Sequence, residues 1–249
     1  MKRSIVIFAD IFLGFIMRTY HKMEKLTEKE VKAQKAYIGK INVAVSSRKT
    51  KRPLVVGFVG LIGSGKTTLA KELASLIGAT VISGDDIRVL LRKEKEKYDK
   101  ARTIAENAIM EIVNNGGNVI VDSDFIDQKK RVSFKEKAEK VGAKIIFIKT
   151  YADLDVMIGR IANADHKNVE EDFFGGASSV WHGASKGNVV KLREMYRRIP
   201  HHYRWMNQSG GKWILKKLPF KVFADIDTAD EKKWRQEIKI IAGQILSCY

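Results

Sequence analysis

The sequence predicts an α/β fold, a mainly parallel five-stranded sheet between two layers of helices, and three observations carry that expectation. Short apolar runs alternate with amphipathic stretches from residue 54 onward, which is the pattern of parallel strands joined by helical crossovers. The first run, LVVGFV at 54–59, leads through a glycine-rich stretch into helical spacing at Leu69, Leu73 and Leu76. Two later runs, at 79–83 and 118–122, lead at once into carboxylates. In such sheets ligands sit beyond the carboxyl ends of the strands, so all three features converge on one cleft.

The elements follow in order. Thr27 caps a helix that runs to about Ile41, with Glu30 closing a capping box and Leu26 placed to staple against Val31. SSRKTKRP at 46–53 is a basic linker, and the strand at 54–59 is a continuous apolar run of the buried parallel kind. The helix that follows is expected at 68–76, ending at Gly78, and the second strand at 79–83. A longer helix at 99–114 places Ile104, Ala108 and Ile112 on one face, and Gly116-Gly117 stops it. Strands at 118–122 and 143–148 flank a helix at 128–141, and another helix covers 153–162. Residues 165–187 hold four glycines and mixed charge, a composition expected of a mobile lid. A basic helix at 188–199 stops at Pro200, a fifth strand covers 220–226, and an amphipathic helix at 229–246 closes the chain. The domain division expected is a basic N-terminal extension at 1–53 and a main domain at 54–249, with a lid or substrate insertion at about 164–218.

Within the glycine-rich stretch, Gly60, Leu61, Ile62, Gly63, Ser64, Gly65, Lys66 and Thr67 match the phosphate-loop spacing G-x-x-x-x-G-K-[ST]. Glycines let the backbone turn so that successive N–H groups cradle phosphate oxygens, and the helix starting near Thr68 adds its positive end. Lys66 reaches the β- and γ-phosphates in this arrangement, and the Thr67 hydroxyl ligates Mg²⁺. The expected cofactors are ATP and Mg²⁺, and the expected fold is the P-loop NTPase three-layer sandwich. Asp122 ends an apolar strand in the manner of a Walker B carboxylate, with Asp124 competing for the same metal role.

The chain of 249 residues carries a formal charge of +17. Residues 1–53 hold 13 Lys and Arg against 4 acids, and residues 191–221 hold 9 against Glu194 alone. Basic clusters of this kind fit an anionic partner such as RNA or DNA, and solvated lysine faces give the same count. The single Cys248 excludes an intramolecular disulfide and fits a reducing, cytoplasmic setting. Residues 4–17 are apolar but too short to span a bilayer, and Asp10 interrupts them. The reading is a leftover upstream segment with Met17 or Met23 as the true start, the alternative being a weak membrane-surface anchor. Trp181, His182, His201, His202, Tyr203, Arg204 and Trp205 combine aromatics with bases, which can stack nucleobases and hold phosphates. Trp205 is assigned to packing, and no further ligand stands near enough to make His201-His202 a metal pair.

The order GLIGSGKTT, SGDDIR, NVIVDSDF, Arg160, FADIDTAD resembles the small phosphate-loop kinases of the polynucleotide-kinase-like group, an AAA-type kinase family. Asp85-Asp86-Ile87-Arg88 is similar to the D-D-x-R motif of 5′-hydroxyl polynucleotide kinases. The resemblance implies that Asp85 accepts the acceptor hydroxyl's proton and that Arg88 holds the acceptor or the transferring phosphoryl group. It also implies that Arg160 begins a lid and clamps the γ-phosphate, and that Asp227 and Thr228 border the adenine. Phosphoryl transfer asks for the same residue types on its own account: a base for the hydroxyl and positive charge for the equatorial oxygens. A helix cap with Arg88 as its partner is the structural alternative for the Asp85-Asp86 pair, and an N-cap is the alternative for Thr228. The chain departs from the lid pattern because 161–166 offers no second arginine; Lys167, Arg193 or Arg197 would substitute.

The activity implied is ATP-dependent phosphorylation of a hydroxyl acceptor, a polynucleotide 5′-hydroxyl or a nucleoside-type substrate. The alternatives are a nucleic-acid-binding regulatory ATPase and a kinase of sugars, nucleotide sugars or antibiotics.

Overall fold

The structure is a computed structural model, and it describes residues 26–41, 48–166, 170–174, 187–207 and 210–249. The candidate start residues Met17 and Met23, together with Lys167, Trp181 and His182, lie outside the described residues.

Helix α1 (Glu28–Ile41) begins with the predicted capping box: the Thr27 N–H donates to Glu30 at 2.7 Å, and the Glu30 N–H to the Thr27 hydroxyl at 3.2 Å. Strand β1 (Leu54–Val59) runs through the phosphate loop into α2 (Lys66–Ile77), which starts two residues earlier than its apolar spacing indicates. Then follow β2 (Ala79–Ser83), α3 (Gly84–Lys93), α4 (Ala101–Asn114), β3 (Asn118–Asp124), α5 (Gln128–Lys140), β4 (Lys144–Tyr151) and α6 (Leu154–Ala162). The insertion contributes α7 (Gly187–His202) and an antiparallel hairpin of β5 (Tyr203–Met206) and β6 (Lys212–Leu215). Strand β7 (Ala224–Asp227) and α8 (Glu231–Cys248) complete the described chain.

The main sheet has the order β2-β3-β1-β4-β7, and every pairing in it is parallel. Because side chains alternate along a strand, β1 serves two cores. Val55 and Val59 face α1, α3, α4 and α5, where Tyr37, Leu91, Ile104 and Phe134 are buried. Leu54, Val56 and Phe58 face α2 and α8, against Leu73, Ile77, Trp234 and Ile238. A third cluster joins Leu61 of the phosphate loop to Met157, Ile161, Met195 and Ile199, fixing α6 and α7 over one end of the sheet. Helix α1, set apart by the sequence as an extension, thus packs Ala33 and Tyr37 into the same core as the sheet.

Four expectations are corrected. The stretch after β2 is a full helix, capped by Ser83, whose hydroxyl accepts from the Asp86 N–H at 3.3 Å, and not by either aspartate. Pro200 lies inside α7 and does not end it; the carbonyl that its missing N–H leaves free belongs to Tyr196, on an exposed position where water can serve it. The fifth strand is only four residues long. Before it, Phe220 lies under the Arg131 guanidinium and the Phe223 N–H bonds Phe147 O, so this apolar stretch packs without joining the ladder. The cap of α8 is Asp230, accepting from the Lys233 N–H, and not Thr228.

Candidate active site

The phosphate loop leaves β1 at Gly60, where a side chain would collide: a Cβ there would lie 2.3 Å from the Thr150 hydroxyl and 2.5 Å from that of Ser64. Those two hydroxyls are hydrogen bonded to each other at 2.8 Å, which ties the loop to β4. Gly65 takes a left-handed conformation at φ +81 and caps α2 without any side-chain hydrogen bond. The first N–H groups of α2 therefore face the cleft with the helix dipole behind them, an arrangement that attracts anions. Lys66 reaches back over the loop and donates to Gly60 O at 2.8 Å and Leu61 O at 2.9 Å. Burial pushes its ammonium below the ordinary value, against the pull of Asp124, Asp122 and Asp85. An anion bound at the loop would favour the charged form of this amine.

Strand β3 continues past its predicted end. Its register against β1 jumps from Gly57↔Val121 to Phe58↔Asp124, leaving Asp122 and Ser123 without partners on β1. Asp122 stands beside the Thr67 side chain, and both line the cleft. Burial raises its carboxyl above the ordinary value, Asp85 and Asp86 add to that, and Thr67 and Lys66 oppose it. Asp124 is differently placed: one oxygen accepts from the N–H groups of Gly60 (3.3 Å) and Ile126 (3.1 Å), the other bonds His202 Nε2 at 2.9 Å. Burial would raise this carboxyl, but His202, Lys66 and the Gly60 N–H outweigh it and hold it low. Of the two metal candidates, Asp124 is thus saturated by protein donors, and Asp122 stands beside Thr67. These two fit Mg²⁺, which takes one or two protein oxygens and completes its shell with water and nucleotide phosphates. Among the described residues no cluster of three or more His, Cys, Asp or Glu offers a self-contained metal site.

Across the cleft, Asp85 and Arg88 form an ion pair one turn apart at 2.7 Å, and the Arg88 guanidinium lies 5.4 Å from the Phe173 ring centroid. Arg160 is held by Gly63 O (3.2 Å), the Thr228 hydroxyl (2.9 Å) and Thr228 O. Thr228 is buried, and its hydroxyl can donate to Ser64 O (3.2 Å) or Tyr151 O (3.1 Å). Asp227 turns away to accept from the Ala229 N–H at 2.9 Å. Arg160 and Thr228 together brace the phosphate loop from the side of β7, and Arg160 also lines the cleft.

The cleft has a volume of about 860 Å³. Its walls bring together Gly63 to Thr68 apart from Ser64, then Asp85, Arg88, Asp122, Asp124 and Arg160. Sequence reasoning missed the cations that complete it. Lys130 of α5 donates to Ser123 Oγ at 2.5 Å and Asp124 O at 2.9 Å, and burial lowers its ammonium to about 8. From α7 the face Val190, Lys191, Glu194, Arg198 lines the cleft, so Arg198 stands where Arg193 or Arg197 was expected. Helical spacing from Lys191 would have selected it; Arg197 is exposed and paired with Glu194 at 2.7 Å.

A parallel sheet of this strand order, with a phosphate loop between β1 and α2 and a strand-end aspartate on β3 beside the loop threonine, is the P-loop NTPase fold. Residues 55–175 match the family model described as AAA domain. An uncharacterized protein of Mycobacterium tuberculosis is 32% identical over 128 residues, covering 45% of this chain and 25% of that protein. The bifunctional enzyme NodQ of Rhizobium meliloti is 27% identical over 155 residues, covering 57% of this chain and 23% of the enzyme. The chain thus aligns with about a quarter of the length of these relatives. A solved structure of a candidate kinase from Chloroflexus aurantiacus superposes with a TM-score of 0.50 at 17% identity, covering 78% of this chain and 98% of that one. That likeness is one of fold.

Proposed function

We propose that this chain is an ATP- and Mg²⁺-dependent kinase that transfers the γ-phosphoryl group to a hydroxyl acceptor. The observation that carries the reading is that one cleft is lined both by the phosphate loop and by the Asp85–Arg88 pair, with further cations from α5 and α7. A nucleotide switch needs only the loop and its metal. A kinase also needs a base and room for a second substrate beside the γ-phosphate.

The loop N–H groups, the start of α2 and Lys66 hold the triphosphate. Thr67 and Asp122 are the residues for Mg²⁺, which when bound neutralises charge on the phosphate oxygens. Arg88 occupies one oxygen of Asp85, and the carboxylate accepts the proton of the attacking hydroxyl. Arg88, Arg198 and Lys130 stabilise charge on the transferring group. Arg160 and Thr228 brace the loop from the β7 side, and Asp227, bonded to the Ala229 N–H, shapes the turn beside them. ATP as donor fits a cytoplasmic setting.

The acceptor favoured is a polynucleotide 5′-hydroxyl, on the strength of the D-D-x-R match at 85–88 and the basic insertion. The test is transfer of labelled phosphate from ATP to 5′-hydroxyl RNA and DNA oligonucleotides, nucleosides and sugars. Label on an acceptor that is lost in Lys66→Ala and falls about 10²- to 10⁴-fold in Asp85→Asn supports the reading. ATP turnover with no labelled acceptor, unchanged in Asp85→Asn, would instead mark a regulatory ATPase.

A further inference from the structure

The β5–β6 hairpin stands outside the catalytic cleft and contributes none of its lining residues. Trp205 and Trp213 are directly opposite each other across the ribbon, their ring centroids 5.4 Å apart at an interplanar angle of 68°. Both are large and exposed, at 51% and 41%. The sequence assigned Trp205 to packing, and the structure places it in solvent. On the same ribbon face, two residues nearer the root, Tyr203 is buried and its hydroxyl donates to Ala152 O at 2.8 Å. Leu215, opposite Tyr203, packs on the same cluster. The Lys216 N–H also bonds His202 O at 2.8 Å. A two-stranded hairpin alone is marginal in water; this one is anchored at its root and offers its outer aromatic pair on a fixed base.

The chain segment that carries this pair has charge of one sign. Residues 195–224 contain seven Lys and Arg and no Asp or Glu. Arg204 and Lys212 are exposed on the ribbon's other face, one residue out of step with the tryptophans, and Lys216, whose ammonium donates to Pro200 O at 2.6 Å, and Lys217 are exposed at its root. Exposed aromatic area on one face of a narrow ribbon, with cations on its other face and at its root, suits a ligand that wraps the ribbon and alternates flat apolar faces with anionic groups, which is the chemistry of an unpaired polynucleotide. A duplex hides its base faces within its own stack. A membrane wedge would need apolar residues at the ribbon's tip, and the connection at 207–211 reads NQSGG.

We propose that the β5–β6 hairpin is a binding platform for single-stranded nucleic acid, with Trp205 and Trp213 stacking bases and Arg204, Lys212, Lys216 and Lys217 holding the backbone. The proposal does not depend on the cleft being a kinase, since binding is read without turnover.

The experiment is fluorescence anisotropy of labelled oligouridylate and oligothymidylate of about 12 nucleotides with the full chain, across a salt series, beside a duplex of equal length. Expected are single-strand binding that weakens with salt, a loss of about tenfold or more in the double variant W205A/W213A, and near-parental binding in W205F/W213F. Lys212→Glu, at an exposed position, weakens binding and flattens the salt slope, which keeps the test decisive if the alanine variant misfolds. Retained nucleotide binding at the phosphate loop shows that each variant is folded. Absence of single-strand binding by the parent overturns the proposal, as does binding indifferent to the double variant. Capture by phosphatidylserine vesicles without oligonucleotide binding would assign the hairpin to a membrane surface instead.

Discussion

Asp122 and Asp124 show how two carboxylates two residues apart on one strand are driven in opposite directions. Asp122 is half-buried near Asp85 and Asp86, and its carboxyl is raised; Asp124 collects two N–H groups and His202, and its carboxyl is lowered. For a raised carboxyl the folded state binds the proton more tightly than the unfolded chain. Stability from this group therefore falls as pH rises through the window above the ordinary carboxylate value, and at neutral pH it is a penalty. Asp122→Asn removes that penalty. The expected outcome is a thermal midpoint equal to or above the parent's without Mg²⁺, together with loss of the Mg²⁺-dependent rise in stability on adding ATP. A marked drop in the Mg²⁺-free midpoint would show instead that the carboxylate serves the fold.

Elements differ in how plainly the sequence announces them, and the differences have physical causes. The strands at β1, β2 and β3 are legible because buried parallel strands read as apolar runs, and the phosphate loop because each of its fixed positions has a backbone or phosphate reason to be there. Helix α3 is less visible: GDDIRVLLRK is short, and its charged residues Asp85 and Arg88 face the cleft. The hairpin is hidden although Ser209-Gly210-Gly211 is a turn signal, because its four-residue strands are too short to show alternation and are held by anchorage to Ala152 and the end of α7. The bond between His202 and Asp124, from the end of α7 to the end of β3, joins residues 78 apart that are both nearly fully buried. No local pattern reports it, yet it couples the insertion to the Gly60 N–H through one carboxylate. His202→Ala leaves Asp124 with an unmet buried oxygen and should cost about 1–3 kcal/mol. A denaturant midpoint lowered accordingly, with faster proteolysis within α7, is the expected result; cleavage confined to other segments would deny the latch. Because Asp124 is held low, its contribution is present above the ordinary carboxylate range and is lost as pH falls below it.

At the scale of the whole molecule, α1 belongs to the core that builds the site. Tyr37 is 1% exposed, and its hydroxyl accepts from the Ser83 N–H at 2.9 Å, at the carboxyl end of β2 where α3 begins. Burial drives this phenol well above its ordinary range, so it stays protonated at every working pH. Gln34 of the same helix accepts from the Asn107 side chain at 2.7 Å, tying α1 to α4. Residues 48–53, which lead into β1, are likewise bonded in: the Lys49 N–H reaches Ile77 O at 3.2 Å, and the Thr50 hydroxyl donates to Asn118 Oδ1 at 2.9 Å. A chain starting at residue 48 would expose the surfaces that Ala33 and Tyr37 cover and would leave the Ser83 N–H without its partner, a loss of at least roughly 3 kcal/mol. Since Ser83 is two residues before Asp85, the damage should reach catalysis as well as stability. Tyr37→Phe isolates the second effect, because it keeps the packed ring and removes only the acceptor. Transfer assays and thermal melts on both variants separate the cases. A lowered midpoint in the truncated chain, with a smaller loss of stability and a lower rate in Tyr37→Phe, would make α1 a structural support of the Asp85 end of the cleft; unchanged melts in the truncated chain would make it an appendage.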